Sequence, residues 1–190
     1  WAVAVIAIPI VLVLAYLGGW YFAVPLSGFA AWAAHECYRL AVRKGIDPLG
    51  GIGSVTAAGF VLAAGWKPAF SDFASVALAL LGGATVLVLV GAMLFRGPDR
   101  HPLSATAVTL FGSIYAGLSL AFMPLLRGLP EARGWAVDAS EAWAGLFVLA
   151  LPLVATWVGD AAALFAGTAW GKKKLAPSIS PNKSWVGFWA

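Results

Sequence analysis

The chain has 190 residues, of which 62% are hydrophobic and only 11% charged, less than half the charged share of an ordinary globular domain. Twelve Lys and Arg against eight Asp and Glu give a net charge of +4, but the basic residues fall in short stretches between apolar runs. That pattern lacks the aromatic-interleaved basic stripe of a nucleic-acid-binding protein and is that of an integral membrane protein.

Residues 1–42 would make about 63 Å of continuous helix, twice a hydrocarbon core of about 30 Å, so this stretch must fold back. The turn belongs at Gly18-Gly19, giving helices over about 1–17 and 20–42. Residues 1–34 carry no charge and no signal-peptide cleavage pattern. Near the end of the second helix, Glu36 and Arg39 stand three apart and read as a surface ion pair. His35 and His101 have no metal-ligand spacing to any partner, and the single cysteine, Cys37, excludes an internal disulfide.

Further helices follow at about 51–66, which is short for a crossing, then 73–95, 102–126 and 142–170, with a seventh starting near 182. The predicted fold is all-α: a polytopic helical bundle of about six spans plus the start of a seventh. One membrane-embedded region covers 1–190, with no soluble domain and no internal repeat. The chain opens on Trp1 and stops at Ala190 as a new apolar segment begins, so the expectation is a fragment of a longer protein, cut at both ends.

Alternating the spans puts nine basic residues at one face, in and beside the loops at 43–50, 96–101 and 171–184. Three lie at the other: Lys67, Arg127 and Arg133. This positive-inside bias places the 171–184 loop in the cytoplasm. Trp20, Trp66, Trp135, Trp143, Trp170 and Trp185 sit near span ends and read as interfacial anchors.

Between Ala142 and Trp170 there is one charge, Asp160. A carboxylate inside a membrane helix costs roughly 2.5–3.5 kcal/mol on insertion scales, and such residues are by default functional. Ala155, Gly159, Ala163, Gly167 and Gly171 recur every four residues as a ridge on which another helix can pack. Asp160 lies beside that ridge, with Thr156 and Gly167 on its face, and is expected to point into protein, as a metal ligand or as a buried structural residue.

Directly after comes Gly-Lys-Lys-Lys-Leu-Ala-Pro-Ser-Ile-Ser-Pro-Asn-Lys-Ser-Trp at 171–185, rich in groups that hold phosphates. Ser180-Pro181 reads as an N-cap followed by proline at the first helical position, so Asn182 and Lys183 would stand in the first turn of the next helix. The competing reading is a lysine cluster that merely attracts anionic lipid. Gly167 to Lys172 fails as a Walker P-loop, with three residues instead of four between its glycines and no Ser or Thr after the lysine. Asn182-Lys183-Ser184 is formally a glycosylation sequon on the wrong side of the membrane.

Gly-Asp-Ala-Ala-Ala-Leu-Phe-Ala-Gly at 159–167, Gly-Lys-Lys-Lys-Leu-Ala-Pro at 171–177 and Ser-Pro-Asn-Lys-Ser-Trp-Val-Gly at 180–187 together resemble the polytopic phosphatidate cytidylyltransferases. The resemblance implies an enzyme condensing CTP with phosphatidate, releasing pyrophosphate and using magnesium or another divalent cation. By that resemblance Asp160 matches a family acid of the metal site, and Lys172, Lys174, Ser180, Lys183 and Ser184 match the polar motif after it. With Asn182 from the phosphate-binding reading of the loop, the expected site has Asp160 and Lys183 as catalytic, Asp160 also as metal ligand, and Lys172, Lys174, Ser180, Asn182 and Ser184 as substrate-binding. CTP, phosphatidate and membrane lipids would be partners, nucleic acid would not, and a homodimer is left open; the setting would be a bacterial inner membrane. Thr168, Lys173 and Val186 depart from residues common in the family. The family's C-terminal Lys-Asp, His-Gly-Gly and Asp-Arg signature is absent from these 190 residues, so the rest of the site is expected beyond Ala190 and the fragment alone is expected to be inactive. A CTP-dependent polyprenol or dolichol kinase, or part of a cation- or proton-coupled transporter, are the alternatives.

Overall fold

A computed structural model of the chain describes residues 2–96, 101–135, 140–178 and 180–190. The predicted loop residues 97–100 and 136–139, Asp138 among them, and Ile179 lie outside the described residues. Seven of the helices are α1 (Ala2–Leu17), α2 (Gly19–Val42), α3 (Gly50–Trp66), α4 (Phe70–Arg96), α5 (Pro102–Ser113), α6 (Ser119–Arg133) and α7 (Ser140–Trp170). A π-helical turn, Ile114–Leu118, joins α5 to α6. A hairpin of β1 (Lys174–Ala176) and β2 (Ser180–Ser184) then leads into the short helix α8 (Trp185–Trp189).

The fold is an all-α membrane bundle apart from that hairpin. Phe70–Phe95, Pro102–Arg133 and Ala142–Trp170 are long and apolar enough to cross a membrane, and Ile6–Leu17 and Gly50–Trp66 are shorter apolar helices. The chain divides into two compact units, Trp1–Leu146 and Phe147–Ala190.

In the first unit, α1 turns into α2 at Gly18-Gly19 as expected. Gly18 has φ 65 and Gly19 φ 48, the left-handed region in which a side chain is strained. The carbonyls left free at the end of α1 are taken by Arg127, whose Nε donates to the Ala15 carbonyl at 2.6 Å and Nη2 to that of Tyr16 at 2.7 Å. This corrects the reading of Arg127 as a loop residue. Because its charge is satisfied on another helix, the predicted 102–126 helix runs on to Arg133, where Gly134 with φ 63 ends it and Trp135 N donates to the Pro130 carbonyl. The fourth helix likewise starts three residues before the predicted 73, because Ser71 and Asp72 occupy its first turn instead of a loop.

The core is built on close approach. Ala23, Ala30 and Ala34 of α2 and Ala57, Ala63 and Ala64 of α3 are buried, with Phe60 and Phe73 filling the space around them. Across it, Tyr38 Oη donates to the Thr109 carbonyl at 2.8 Å, and Thr109 Oγ1 accepts from Leu49 N at 2.9 Å. One buried threonine thereby ties α2 and the start of α3 to α5. Sequence reasoning missed this knot, because nothing local to Tyr38 or Thr109 signals a partner 71 residues away.

Candidate functional site

The second unit carries the residues that the sequence singled out. Pro181 has no N–H to give to a ladder, and the pairing of β1 with β2 is irregular at this point: Lys174 faces Ser184 and Ala176 faces Ser180, so β2 takes more residues than β1 between the two pairs. The turn between the strands contains Pro177 and Ser178. Trp185 N donates to the Lys173 carbonyl at 3.0 Å, closing the base of the hairpin.

The predicted seventh helix does not start near 182 but at Trp185, as α8. Ser180–Ser184 is extended, and the N-cap of α8 is Ser184, with φ −120 and ψ 157 and its Oγ accepting from Gly187 N at 3.2 Å. Two serines four residues apart both satisfy the capping pattern, and strand pairing with β1 selects the later one. Asn182 and Lys183 therefore stand in a strand, exposed, and not in a helical first turn.

Ser184 is 4% exposed. A Cβ on Gly167 would lie 3.1 Å from Ser184 Oγ, and one on Gly187 would lie 2.5 Å from the Ala163 carbonyl oxygen. The small-residue ridge of α7 is thus the seat of the hairpin and α8, occupied from Ala163 to Gly171. Ser184, expected to bind substrate, caps α8 and fills the groove at Gly167 and Gly171, and so positions the loop.

Asp160 projects from the same side of α7, since residues three, seven and eleven further on share its face. Ala163, Gly167 and Gly171 are those residues, and Gly167 is about 10 Å along the axis at about 1.5 Å per residue. Asp160 is exposed, whereas the sequence placed it toward protein interior: the described residues cover the ridge only from Ala163 onward. Thr156 on that face donates to the Pro152 carbonyl at 2.8 Å, and Thr168 to that of Leu164 at 2.8 Å, so both hydroxyl protons are used within the helix.

Lys172, Lys173, Lys174 and Lys183 are all exposed, and none has an ion pair among the described residues. Beside them, Ala166, Trp170, Trp185, Val186, Trp189 and Ala190 line an open apolar cavity of about 550 Å³. The unit so presents, on one short stretch of chain, an exposed carboxylate, a cationic hairpin and an aromatic hollow.

Whether this donor set suits magnesium is a question of ligand count. Magnesium is usually held through one or two carboxylates together with substrate phosphate oxygens. Asp160 offers one carboxylate engaged by no donor or cation among the described residues, and these contain no group of three or more His, Cys, Asp and Glu side chains. That fits a cation shared with phosphate. In the first unit, the expected Glu36–Arg39 pair is present at 2.8 Å, on the helix surface.

A model of the cytidylyltransferase family matches residues 1–190. A phosphatidate cytidylyltransferase of Haemophilus influenzae is 51% identical over 43 residues, 23% of this chain and 15% of that protein. One of Pseudomonas aeruginosa is 40% identical over 68 residues, 36% of the chain and 22% of the relative. One of Mycobacterium bovis is 27% identical over 123 residues, 59% of the chain and 36% of the relative. The chain therefore aligns with well under half the length of these relatives. No solved structure matches it.

Proposed function

The chain belongs to the cytidylyltransferase family, and from that premise we propose that its protein transfers the cytidylyl group of CTP to phosphatidate, giving CDP-diacylglycerol and pyrophosphate. The observation that carries this reading is the seating of the cationic hairpin on the face of α7 that holds Asp160. The relatives' shared name supports the choice of substrates.

In the reaction, a phosphate oxygen of phosphatidate attacks the α-phosphorus of CTP. The new P–O bond forms as the bond to the bridging oxygen breaks, and pyrophosphate leaves with that oxygen. Both substrates are polyanions, so bringing them together is opposed by repulsion that Lys172, Lys174 and Lys183 offset, and these cations also stabilise the leaving pyrophosphate. Ser180 and Asn182 orient phosphate oxygens by hydrogen bonds. Asp160 would hold a magnesium ion, which supplies charge neutralisation when bound. The apolar cavity beside Trp170 and Trp185 offers a dry wall next to the charged groups. The hairpin works from the cytoplasmic side of a bacterial inner membrane, where CTP is available, and the nine-to-three bias in basic residues supports that orientation.

The test supplies the full-length protein with phosphatidate and with CTP labelled either in cytidine or at the γ-phosphate. The cytidine label should appear in lipid and the γ label in pyrophosphate. Lipid carrying only the γ-phosphate would make the protein a lipid kinase, and ion flux without nucleotide turnover would make it a transporter.

A further inference from the structure

We propose that the pocket between the end of α2 and the first turn of α3 binds a phosphate group. The pocket has a volume of about 420 Å³, and His35, Arg39, Arg43, Pro48, Gly50 and Gly51 are among its lining residues. The volume lies within the range of small-ligand sites, roughly 300–1,000 Å³. It is built from the first unit alone and needs no residue of the hairpin.

Five observations point to an anion. His35, Arg39 and Arg43 follow one another at intervals of four, which sets them on one face of α2 and its C-terminal cap. No carboxylate is among the described residues that line the pocket. Glu36 accepts from Arg39 Nη1 at 2.8 Å, fixing the guanidinium while leaving other donors of its fork free for an oxyanion. Arg43 has no ion pair among the described residues, although its own N–H is held on the Arg39 carbonyl. The opposite wall is the start of a 17-residue helix whose N-cap, Leu49, provides no side-chain acceptor, so the positive end of the helix dipole adds to the two arginines.

The walls are fixed before any ligand arrives. Tyr38, also in the lining, and Leu49 are both bonded to Thr109. The two glycines differ usefully: a Cβ on Gly50 would lie 3.3 Å from the Tyr38 ring, whereas one on Gly51 meets nothing within 4 Å. A side chain at Gly51, itself a lining residue, would therefore meet no described protein atom. Two guanidinium groups and a helix N-terminus match a phosphate, borne either by a lipid headgroup or by a soluble phosphate.

The experiment uses full-length protein in phosphatidylcholine nanodiscs. One arm adds phosphatidate to the discs and counts retained phosphatidate per protomer by native mass spectrometry; the other titrates inorganic phosphate into undoped discs by calorimetry. Gly51→Leu, which keeps every charge, and Arg43→Gln, which removes one that has no ion pair among the described residues, should each weaken binding by about tenfold or more, the size of one good charge-assisted contact, with unchanged melting temperatures. Weakening in the first arm assigns a lipid headgroup, and in the second a free phosphate. Binding unaltered by both variants in both arms would overturn the proposal. So would a loss confined to Arg43→Gln that vanishes at high salt, which is plain surface attraction.

Discussion

Lys183 and Lys173 are neighbours in a cationic loop with different anchorage. Lys183 stands within β2, two residues after Pro181 and one before the buried Ser184, so its backbone is held on both sides. Lys173 lies in the bend between α7 and β1, outside both elements, and is held there through its carbonyl, which accepts from Trp185 N. A charge that only enriches anions near a surface is screened over about 8–10 Å at moderate salt, whereas a direct contact to phosphate in a partly dry site is not. Lys183→Met should therefore lower turnover of the full-length enzyme by about tenfold or more at any ionic strength. Lys173→Met should cause a smaller loss that shrinks as salt is raised, and parallel salt-sensitive losses in a turnover series would reduce the loop to a membrane anchor.

The element that organises the site is α7 with the hairpin and α8 seated on it, and its integrity rests on missing side chains. Gly187→Ala would drive a methyl group against the Ala163 carbonyl, a kind of overpacking that costs about 1–3 kcal/mol. Gly159→Ala, on the same ridge but with nothing within 4 Å, should be tolerated. In limited proteolysis Gly187→Ala should open the hairpin to cleavage while Gly159→Ala leaves it protected; equal protection would mean that the ridge is not the seat. Much of this was legible in the sequence. The four-residue spacing of Ala155 to Gly171 announced a packing ridge, Gly18-Gly19 announced the first turn, and Glu36–Arg39 its ion pair. The β-hairpin was not legible, because Ser180-Pro181 and Ser184 both satisfy helix-start chemistry and only the long-range pairing with Lys174 and Ala176 decides between them. Arg127 and Thr109 escaped for the same reason, their partners being far away in the chain.

For the molecule as a whole, the proposed chemistry requires the hairpin on the side where CTP is found. Ser178 lies in its exposed turn. Cysteine placed there in a Cys37→Ser background should react with an impermeant maleimide only in inverted vesicles or opened cells, and labelling in intact cells would reverse the topology. The central claim, that Asp160 and the hairpin form one phosphoryl-chemistry site, is tested most directly by transfer of labelled cytidylyl to phosphatidate across a magnesium titration, comparing the full-length protein with its Asp160→Asn variant. That substitution keeps size and removes charge on an exposed stretch of helix. The fold should therefore survive, while turnover falls by about 10²–10³, the scale of one electrostatic contact at a reacting phosphate. Wild-type turnover with unchanged magnesium dependence in Asp160→Asn would contradict the account.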